Sequence, residues 1–259
     1  LGVSHPTVGR RLHVLEQASG QVFFRRVGQG LVLTDIGERI LHLAEEMEQS
    51  ALAIERCMAG DSDQLEGLLR ISCAEWFSNY VLSPVLRELT QRHPLIVSEI
   101  IPGHRQFDLA RREADIAFRI VPFTEPDIVQ RRLMTMRYGL YAGVGVPSPQ
   151  KDGEGLGLIT MNTAQAHYPD VLWLEQRYPL ARSVFKSSSR MVQAQMCAQG
   201  LGLAVLPRSL GDQLPALRLL DVDEAPPSRD IWMGYHHDMR RMDRLRALAD
   251  LAVDMVGTD

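Results

Sequence analysis

The chain has 259 residues, of which 45% are hydrophobic and 23% are charged, and its formal net charge is −4. These values predict a globular protein of two or three domains. We find no run of about 18 apolar residues and no signal-peptide pattern, so the sequence predicts neither a membrane span nor secretion. Cys57, Cys73 and Cys197 lack a C-x-x-C spacing, which favours a reducing cytoplasm over disulfides or structural zinc.

The first predicted element is a short helix near the start of the chain. Ser4 and Pro6 are typical of an N-cap and a first helical turn. An apolar face, which we predict to be buried, recurs at helical spacing and consists of Val8, Leu12 and Leu15. The opposite face carries short or cationic side chains of the kind that contact base edges from a recognition helix. Its members are His5, Thr7, Gly9, Arg10 and His13.

A β-hairpin is predicted after Gly20. Val22 to Phe24 is apolar, Gly28 to Gly30 is a turn, and Leu31 to Leu33 is a β-rich run that ends at Thr34. Residues 1–34 contain four arginines and one acid, a net charge of +3 on an acidic chain. A local positive region of this kind favours contact with a DNA duplex. The pattern alone leaves an ordinary surface helix and hairpin open as an alternative.

The segment closely resembles the DNA-binding end of LysR-type transcriptional regulators. The matching positions are Ser4, Pro6, Val8, Arg10, Leu15, Glu16, Gly20, Phe24, Arg26, Leu33, Thr34 and Gly37. His5 replaces a base-contacting Gln of the family, Gly9 replaces a Ser, and Gln29 replaces an Arg of the wing, so we expect a different preferred DNA sequence on the same fold. The residues that the resemblance assigns to DNA contact are Ser4, His5, Pro6, Thr7, Gly9, Arg10, Arg11, Arg26 and Gln29.

The resemblance also predicts the extent of this domain. Residues 1–34 correspond to a winged helix-turn-helix, but the first helix of the family and most of its second have no counterpart in the 259 residues. We therefore expect the DNA-binding domain to be N-terminally incomplete in this chain. A helix-turn-helix domain needs those packing partners for its core.

Residues 35–60 are predicted to form a dimerising linker helix. Its heptad seam consists of Ile36, Ile40, Leu43, Met47, Ser50, Ile54 and Cys57. A lone amphipathic helix packed on its own domain is the alternative. The resemblance implies a homodimer, and further a dimer of dimers that contacts RNA polymerase. Dimerisation would place two recognition helices about one DNA turn apart on a pseudo-palindromic operator.

Beyond residue 60, β-type runs alternate with helical patterns, which predicts mostly parallel sheets covered by helices on both faces. Predicted strands are 68–72, 95–101, 115–118, 128–133, 138–142, 158–161, 183–186, 203–206 and 231–236, and predicted helices are 81–92, 107–112, 171–176, 188–199 and 239–256. We assign residues 61–142 and 231–259 to one effector-binding lobe and residues 143–230 to the other. The predicted fold class is α/β, with two lobes that resemble the periplasmic-binding-protein type.

Two lobes joined by two crossovers leave a cleft at the carboxyl ends of their strands. We predict that a small-molecule effector binds there, against Ala74, Glu75, Trp76, Phe77, Ser78, Gly103, His104, Phe118, Arg119, Ser187, Ser188 and Ser189. The resemblance implies an anionic metabolite, and Arg119 suits a carboxylate. Glu75 and Trp76 leave an amine-bearing or partly apolar ligand open as well. N-capping by the serines and a surface salt bridge of Arg119 stay open as structural alternatives.

The predicted function is a DNA-binding transcriptional regulator that a small-molecule effector modulates. The alternative is a small-molecule binding protein with a non-functional DNA-binding remnant. We predict no enzyme, because no G-x-S-x-G, P-loop or G-x-G-x-x-G motif follows a strand, and only conjecture joins Ser72 and Cys73 to a distant His. We also predict no cofactor.

No metal site is predicted either. The eight histidines show no ligand spacing, and the adjacent His236 and His237 would point to opposite faces of a strand. Cys73 and Cys197 are interpreted as buried thiols, with redox sensing as the alternative.

Overall fold

The computed structural model describes residues 5–27, 30–44, 47, 65–102, 109, 114–147, 149 and 152–257. Ser4, Gln29, Gly103, His104, the predicted helix at 107–112 and most of the linker helix after residue 44 lie outside the described residues. For His5, Pro6, Thr7 and Arg26 only the backbone is described. The chain divides into two units, Leu1–Gln64 with Arg111–Glu113, and Leu65–Ala110 with Ala114–Asp259.

In the first unit, helix α1 (His5–Ser19) precedes an antiparallel hairpin of β1 (Phe24–Val27) and β2 (Gly30–Leu33), and residues 35–44 form helix α2. The predicted helix, wing strands and start of the linker helix are present. The predicted burial of the apolar face of α1 is wrong, because Val8 is 41% and Leu15 is 56% exposed. The described part of the unit places no element over that face.

Side-chain hydrogen bonds fix the two junctions around the hairpin. The Glu16 carboxylate accepts the Phe23 N–H at 2.7 Å and thereby holds the end of α1 to the start of β1. The Thr34 hydroxyl accepts the Gly37 N–H at 3.1 Å and caps α2. A Cβ at Gly37 would lie 2.1 Å from the Phe23 carbonyl oxygen, so only glycine allows this approach. These contacts give a physical reason for the family-like residues in this region.

The second unit contains two five-stranded sheets. The first has the order β4-β3-β5-β12-β6, with β3 (Glu66–Cys73), β4 (Leu95–Pro102), β5 (Ile116–Arg119), β6 (Ile128–Met136) and β12 (Arg229–His236). The second has the order β11-β7-β10-β8-β9, with β7 (Tyr138–Gly143), β8 (Gly157–Thr160), β9 (Arg182–Lys186), β10 (Leu203–Pro207) and β11 (Leu217–Leu219).

Each sheet has four strands that point the same way and one reversed strand, β12 in the first sheet and β7 in the second. In each sheet the reversed strand is the one that directly follows the other lobe along the chain, so it starts at the opposite end of the sheet from its neighbours. Because it lies inside its sheet, it makes two antiparallel pairings there. The predicted mostly parallel sheets are therefore mixed in their pairing.

The chain changes sheets at residues other than the predicted ones. It passes from the first sheet to the second at Arg137, between β6 and β7, and returns before β12 begins at Arg229. The predicted boundaries stood at residues 143 and 231. β6 and β7 are separated by one residue, so the sequence has no turn signal between them. Gly143, the first residue of the predicted second lobe, is instead the last residue of β7.

The helices of the second unit are α3 (Glu75–Phe77), continued by a π-helical segment (Ser78–Leu82) and α4 (Ser83–Arg92), then α5 (Pro169–Arg177), α6 (Arg190–Ala198), α7 (Arg208–Gly211) and α8 (Asp243–Val256). The first starts at Glu75, six residues before the predicted start, because Trp76 and Phe77 extend its buried face. α7 and β11 were not predicted. Met255, in the last turn of α8, is 44% exposed.

Apolar side chains on both faces of the two sheets form the core of the second unit. Leu69, Ile71 and Ile116 of the first sheet, with Leu140 and Ala204 of the second, are completely or almost completely buried. Between β3 and β5, the buried Asp115 carboxylate accepts the Arg70 N–H at 2.7 Å and so positions β5. Among the described helices, none has the length and apolar character to cross a membrane.

Candidate functional site

A cavity of about 150 Å³ opens at the carboxyl ends of β3, β5 and β8, where the two sheets meet. Both lobes and both crossover strands contribute to its wall, which is mainly apolar and aromatic. The described lining residues are Ser72, Cys73, Ala74, Glu75, Trp76, Phe77, Phe118, Arg119, Ile120, Val121, Tyr138, Met161, Gln165, Tyr168, Ser188, Ser189, Arg190 and Ile231.

Eight of the residues predicted from sequence lie in this wall: Ala74, Glu75, Trp76, Phe77, Phe118, Arg119, Ser188 and Ser189. Ser78 and Ser187 lie outside it. Sequence reasoning missed Ser72, which lies at the carboxyl end of β3, where ligands of such sheets bind. It also missed Tyr138 and Ile231, which come from crossover strands and carry no local signal.

On the first-lobe side, Glu75 lies in the first turn of α3, beside an aromatic cluster. The ring centroids of Trp76 and Phe77 are 5.7 Å apart in an edge arrangement, and those of Phe77 and Phe118 are 5.3 Å apart. Glu75 is exposed, and its carboxylate makes no hydrogen bond or ion pair with a described residue. An acid in the first helical turn also interacts favourably with the helix dipole.

Arg119 is held by neighbours in its own lobe. Its Nη1 is 3.6 Å from Oε1 of Glu125, and its guanidinium carbon lies 4.5 Å from the centroid of the Phe123 ring. The salt-bridge alternative from the sequence is therefore the arrangement in this structure. A ligand carboxylate would have to compete with Glu125 for this guanidinium.

On the second-lobe side, serines cap the start of α6. Ser189 Oγ accepts the Val192 N–H at 3.3 Å, and Ser187 Oγ accepts the Ser189 N–H at 3.1 Å. The helix begins at Arg190, two residues later than predicted, because Ser189 is its N-cap. The N-capping alternative therefore describes these contacts, and two of the amides at this terminus already have partners.

A buried ion pair lies behind this terminus. Arg190 donates to the Asp170 carboxylate and, at 2.9 Å in each case, to Gln193 Oε1 and the Val205 carbonyl. Its guanidinium carbon is 5.5 Å from the Tyr138 ring centroid, and burial raises the pKa of that phenol above its usual value. The Asp170 carboxylate balances the charge of Arg190, and these bonds tie α5, α6 and β10 together.

The two described cysteines are buried, and Cys73 lies in the cavity wall. Loss of solvation raises the thiol pKa of Cys73 to about 12 and that of Cys197 to about 12. Reactive and redox-sensing cysteines need the opposite, an accessible thiol with a lowered pKa. These environments favour the interpretation of both groups as buried thiols.

His236 and His237 do not point to opposite faces, so that expectation is wrong. β12 ends at His236 and a 3-10 turn begins at His237, which brings the two ring centroids to 4.5 Å. With Asp238 they form the group of possible metal ligands found among the described residues, all within 4.8 Å. Nε2 of His237 is 3.1 Å from Oδ1 of Asp238, and Nδ1 lies 3.2 Å from the Asp127 carbonyl.

In the first unit, α1 presents Arg10 and Arg11 to solvent, and Gly9 has open space around its Cα. Arg25 on β1 is also exposed. Exposed cationic side chains thus lie on both α1 and β1, the elements that carry predicted DNA contacts.

Comparison with known proteins extends over both units. The family model of the LysR substrate binding domain matches residues 62–257. The Mau operon transcriptional activator of Paracoccus denitrificans is 25% identical over 98% of this chain and 88% of its own. The HTH-type transcriptional regulator CrgA of Neisseria meningitidis is 23% identical over 100% of this chain and 90% of its own.

Solved structures of regulators share the fold. CrgA from Neisseria meningitidis aligns with a TM-score of 0.65 at 21% identity, over 99% of this chain and 91% of its own. Full-length OxyR from Pseudomonas aeruginosa aligns with a TM-score of 0.68 at 22% identity, over 97% of this chain and 89% of its own. The domain match, which covers most of the chain, and the regulators that align along its length show that this chain belongs to the LysR family of transcriptional regulators.

Proposed function

We propose that the cavity between the two sheets is the effector site of this regulator and that its occupancy alters how the first unit binds DNA. The observation that carries the proposal is the shared wall, because residues of both lobes line one cavity at the carboxyl ends of their strands. A ligand that contacts both lobes favours one arrangement of the lobes over others. It shifts the equilibrium only by its difference in affinity for the two states.

The DNA-contacting elements would be α1 and the wing. Arg10 and Arg11 are exposed on α1, which begins at His5, and the β1–β2 hairpin follows it. A recognition helix contacts base edges with its N-terminal residues, while basic groups of a wing contact phosphates. We assign base contact to the region of His5, Gly9 and Arg10, and phosphate contact to Arg26 and Gln29.

Pairing of two copies would occur along the linker helix. Ile40, Leu43 and Met47 recur at heptad spacing and are exposed in the single chain. A second copy of the same helix would cover this seam and create the two-fold arrangement that a pseudo-palindromic operator requires. We extend the proposal to a dimer of dimers that contacts RNA polymerase in the cytoplasm, as the family resemblance implies.

The proposed action is binding without catalysis. The relatives of this chain are transcriptional regulators. The described cavity wall contains the Cys73 thiol, whose pKa is raised to about 12, and no histidine to serve as its base. The nucleophile that the sequence suggested, Ser72 with Cys73, therefore lacks an activating partner within the described lining.

The test is a mobility-shift titration of the full-length protein on DNA upstream of its own and neighbouring genes. We expect a specific complex that weakens as salt rises, because phosphate contacts release counterions. Arg10→Ala should lower the affinity about tenfold, the amount that one lost base contact represents.

Arg182→Ala is the matched control, since Arg182 is an equally charged and exposed residue of β9 in the other unit. It should leave the affinity unchanged. Binding by Arg10→Ala that equals the wild type would contradict the assignment of α1. A folded protein that forms no complex at any salt concentration would favour the ligand-binding protein with a non-functional DNA-binding remnant.

A further inference from the structure

The charges in the cavity wall favour one class of ligand. Among the described lining residues, the two cationic side chains are each held by an acid, Arg119 by Glu125 and Arg190 by Asp170. Glu75 is the acidic residue of the same lining, and it has no hydrogen bond or ion pair with a described residue. Among the described lining residues themselves the uncompensated charge is therefore negative. Arg229 is a cation just outside that lining, with its guanidinium carbon 4.4 Å from the centroid of the Tyr168 ring.

The hydrogen-bonding groups of the wall point to the same class. Gln165 lines the cavity, and its Oε1 is a buried acceptor with no hydrogen-bond partner among the described residues. A buried acceptor of this kind gains free energy when a donor reaches it. At the start of α6, the N–H groups of Ser189 and Val192 are already bonded to serine hydroxyls. The polar groups of the wall therefore suit a ligand that donates hydrogen bonds better than an anionic ligand.

The remaining wall is apolar and aromatic. Trp76, Phe77 and Phe118 form a cluster on one side, and Tyr138 and Tyr168 lie on the crossover and second-lobe sides. Apolar cavities of about 150 Å³ bind benzene in other proteins, so the space here suits an apolar group of one ring. Arg190 and Arg229 already lie over the rings of Tyr138 and Tyr168. Because aromatic faces attract cations, a further positive charge is favoured beside the Trp76, Phe77 and Phe118 cluster.

We propose that the ligand of this cavity is a small organic amine, bound as its ammonium form, with an apolar body about the size of one ring. The ammonium group is held by the Glu75 carboxylate, and the apolar body packs against the aromatic wall. This inference rests on the proposed function, which makes the cavity the effector site. It differs from the anionic metabolite that the family resemblance implies.

The experiment is calorimetric titration of the full-length protein with three probes that share a phenyl ring: phenethylamine, phenethyl alcohol and phenylacetate. We expect the amine to bind about tenfold more tightly than the alcohol, the effect of one charge-assisted hydrogen bond, and the carboxylate to bind most weakly. In Glu75→Gln the amine should lose that tenfold advantage, while the affinity for the alcohol stays the same.

Glu154→Gln is the control, because Glu154 is an exposed acid outside the cavity wall, and it should leave all three affinities unchanged. Tightest binding of phenylacetate would overturn the ligand class and leave the effector site in place. Equal weakening of the amine by both variants would also overturn it, since the preference would then come from overall charge. If none of the probes, nor butylamine, butanol and butyrate, bound at all, the effector-site assignment itself would fail.

Discussion

The two units differ in how they obtain their stability. The second unit buries aliphatic and aromatic side chains between sheets and helices, and even its buried charges, Arg190 and Asp170, are paired. The described part of the first unit buries Phe23 but leaves Val8, Leu15 and Ile40 exposed, and it relies on single hydrogen bonds at its junctions. The comparison indicates that the second unit is stable through its own core, whereas the first needs packing partners.

The largest expected effect tests the buried core of the second unit. Arg190→Ala removes the partner of Asp170 and leaves a buried carboxylate without a counter-charge. We expect the free energy of unfolding to fall by about 3–5 kcal/mol, measured by denaturant titration.

Arg208→Ala is the matched control, because the Arg208–Asp212 pair is exposed and spans one helical turn at 2.7 Å. Its loss should cost about 1 kcal/mol or less. Equal costs for the two variants would contradict the contrast between buried and exposed pairs on which the comparison depends.

A smaller effect is expected at the junction of the first unit. In Gly37→Ala the new Cβ would lie 2.1 Å from the Phe23 carbonyl oxygen, so the wing and α2 must move apart. We expect this unit to lose about 1–3 kcal/mol and the protein to lose affinity for operator DNA. Calorimetric titration of this variant with phenethylamine should show an unchanged ligand affinity, because the cavity lies in the other unit.

Gly9→Ala should change the stability of the same unit in the opposite direction. No atom lies within 4 Å of a Cβ placed there, and the residue is inside α1. Alanine should stabilise the helix by about 0.5–1 kcal/mol. A thermal melt in which both substitutions shift the first unit in the same direction would show that the close approach at Gly37 is not the cause.

A further effect concerns alkaline pH. The thiol of Cys197 has a usual pKa of 9.0, and burial raises its pKa to about 12 in the folded protein. Between these values the unfolded state releases a proton that the folded state keeps, so the free energy of unfolding falls as pH rises from 9 to 12. Cys197→Ala should show a shallower decline over this window in denaturant titrations. Identical slopes for variant and wild type would contradict the raised thiol pKa.

Much of the architecture was predictable because local signals agreed with the final packing. Apolar β-type runs predicted β3, β4, β5 and β10, and Pro94 and Pro207 marked ends that the structure retains. The exceptions have local causes. Tyr138 belongs to the second sheet although no turn separates it from β6, and Glu75 starts a helix whose apolar periodicity is clear only from Val81 onward.

The cavity was only partly predictable. Trp76, Phe118 and Ser189 follow from the rule that ligands bind at the carboxyl ends of strands. Tyr138, Gln165 and Tyr168 approach from distant parts of the chain, and no spacing in the sequence relates them to Glu75. The partners of Arg119 and Arg190 were likewise hidden, although those partners decide which charges in the wall are available.

The family, the α/β class and the residue types at the helix starts could be read from the amino-acid sequence, because motifs, periodicity and capping depend on neighbours within a few positions of the chain. Which charges are neutralised and which are not depends instead on the three-dimensional fold. Glu125 holds Arg119, Asp170 holds Arg190, and Glu75 is left with no partner among the described residues. These outcomes depend on distances between segments that the fold brings together, and electrostatic energy depends on those distances and on burial.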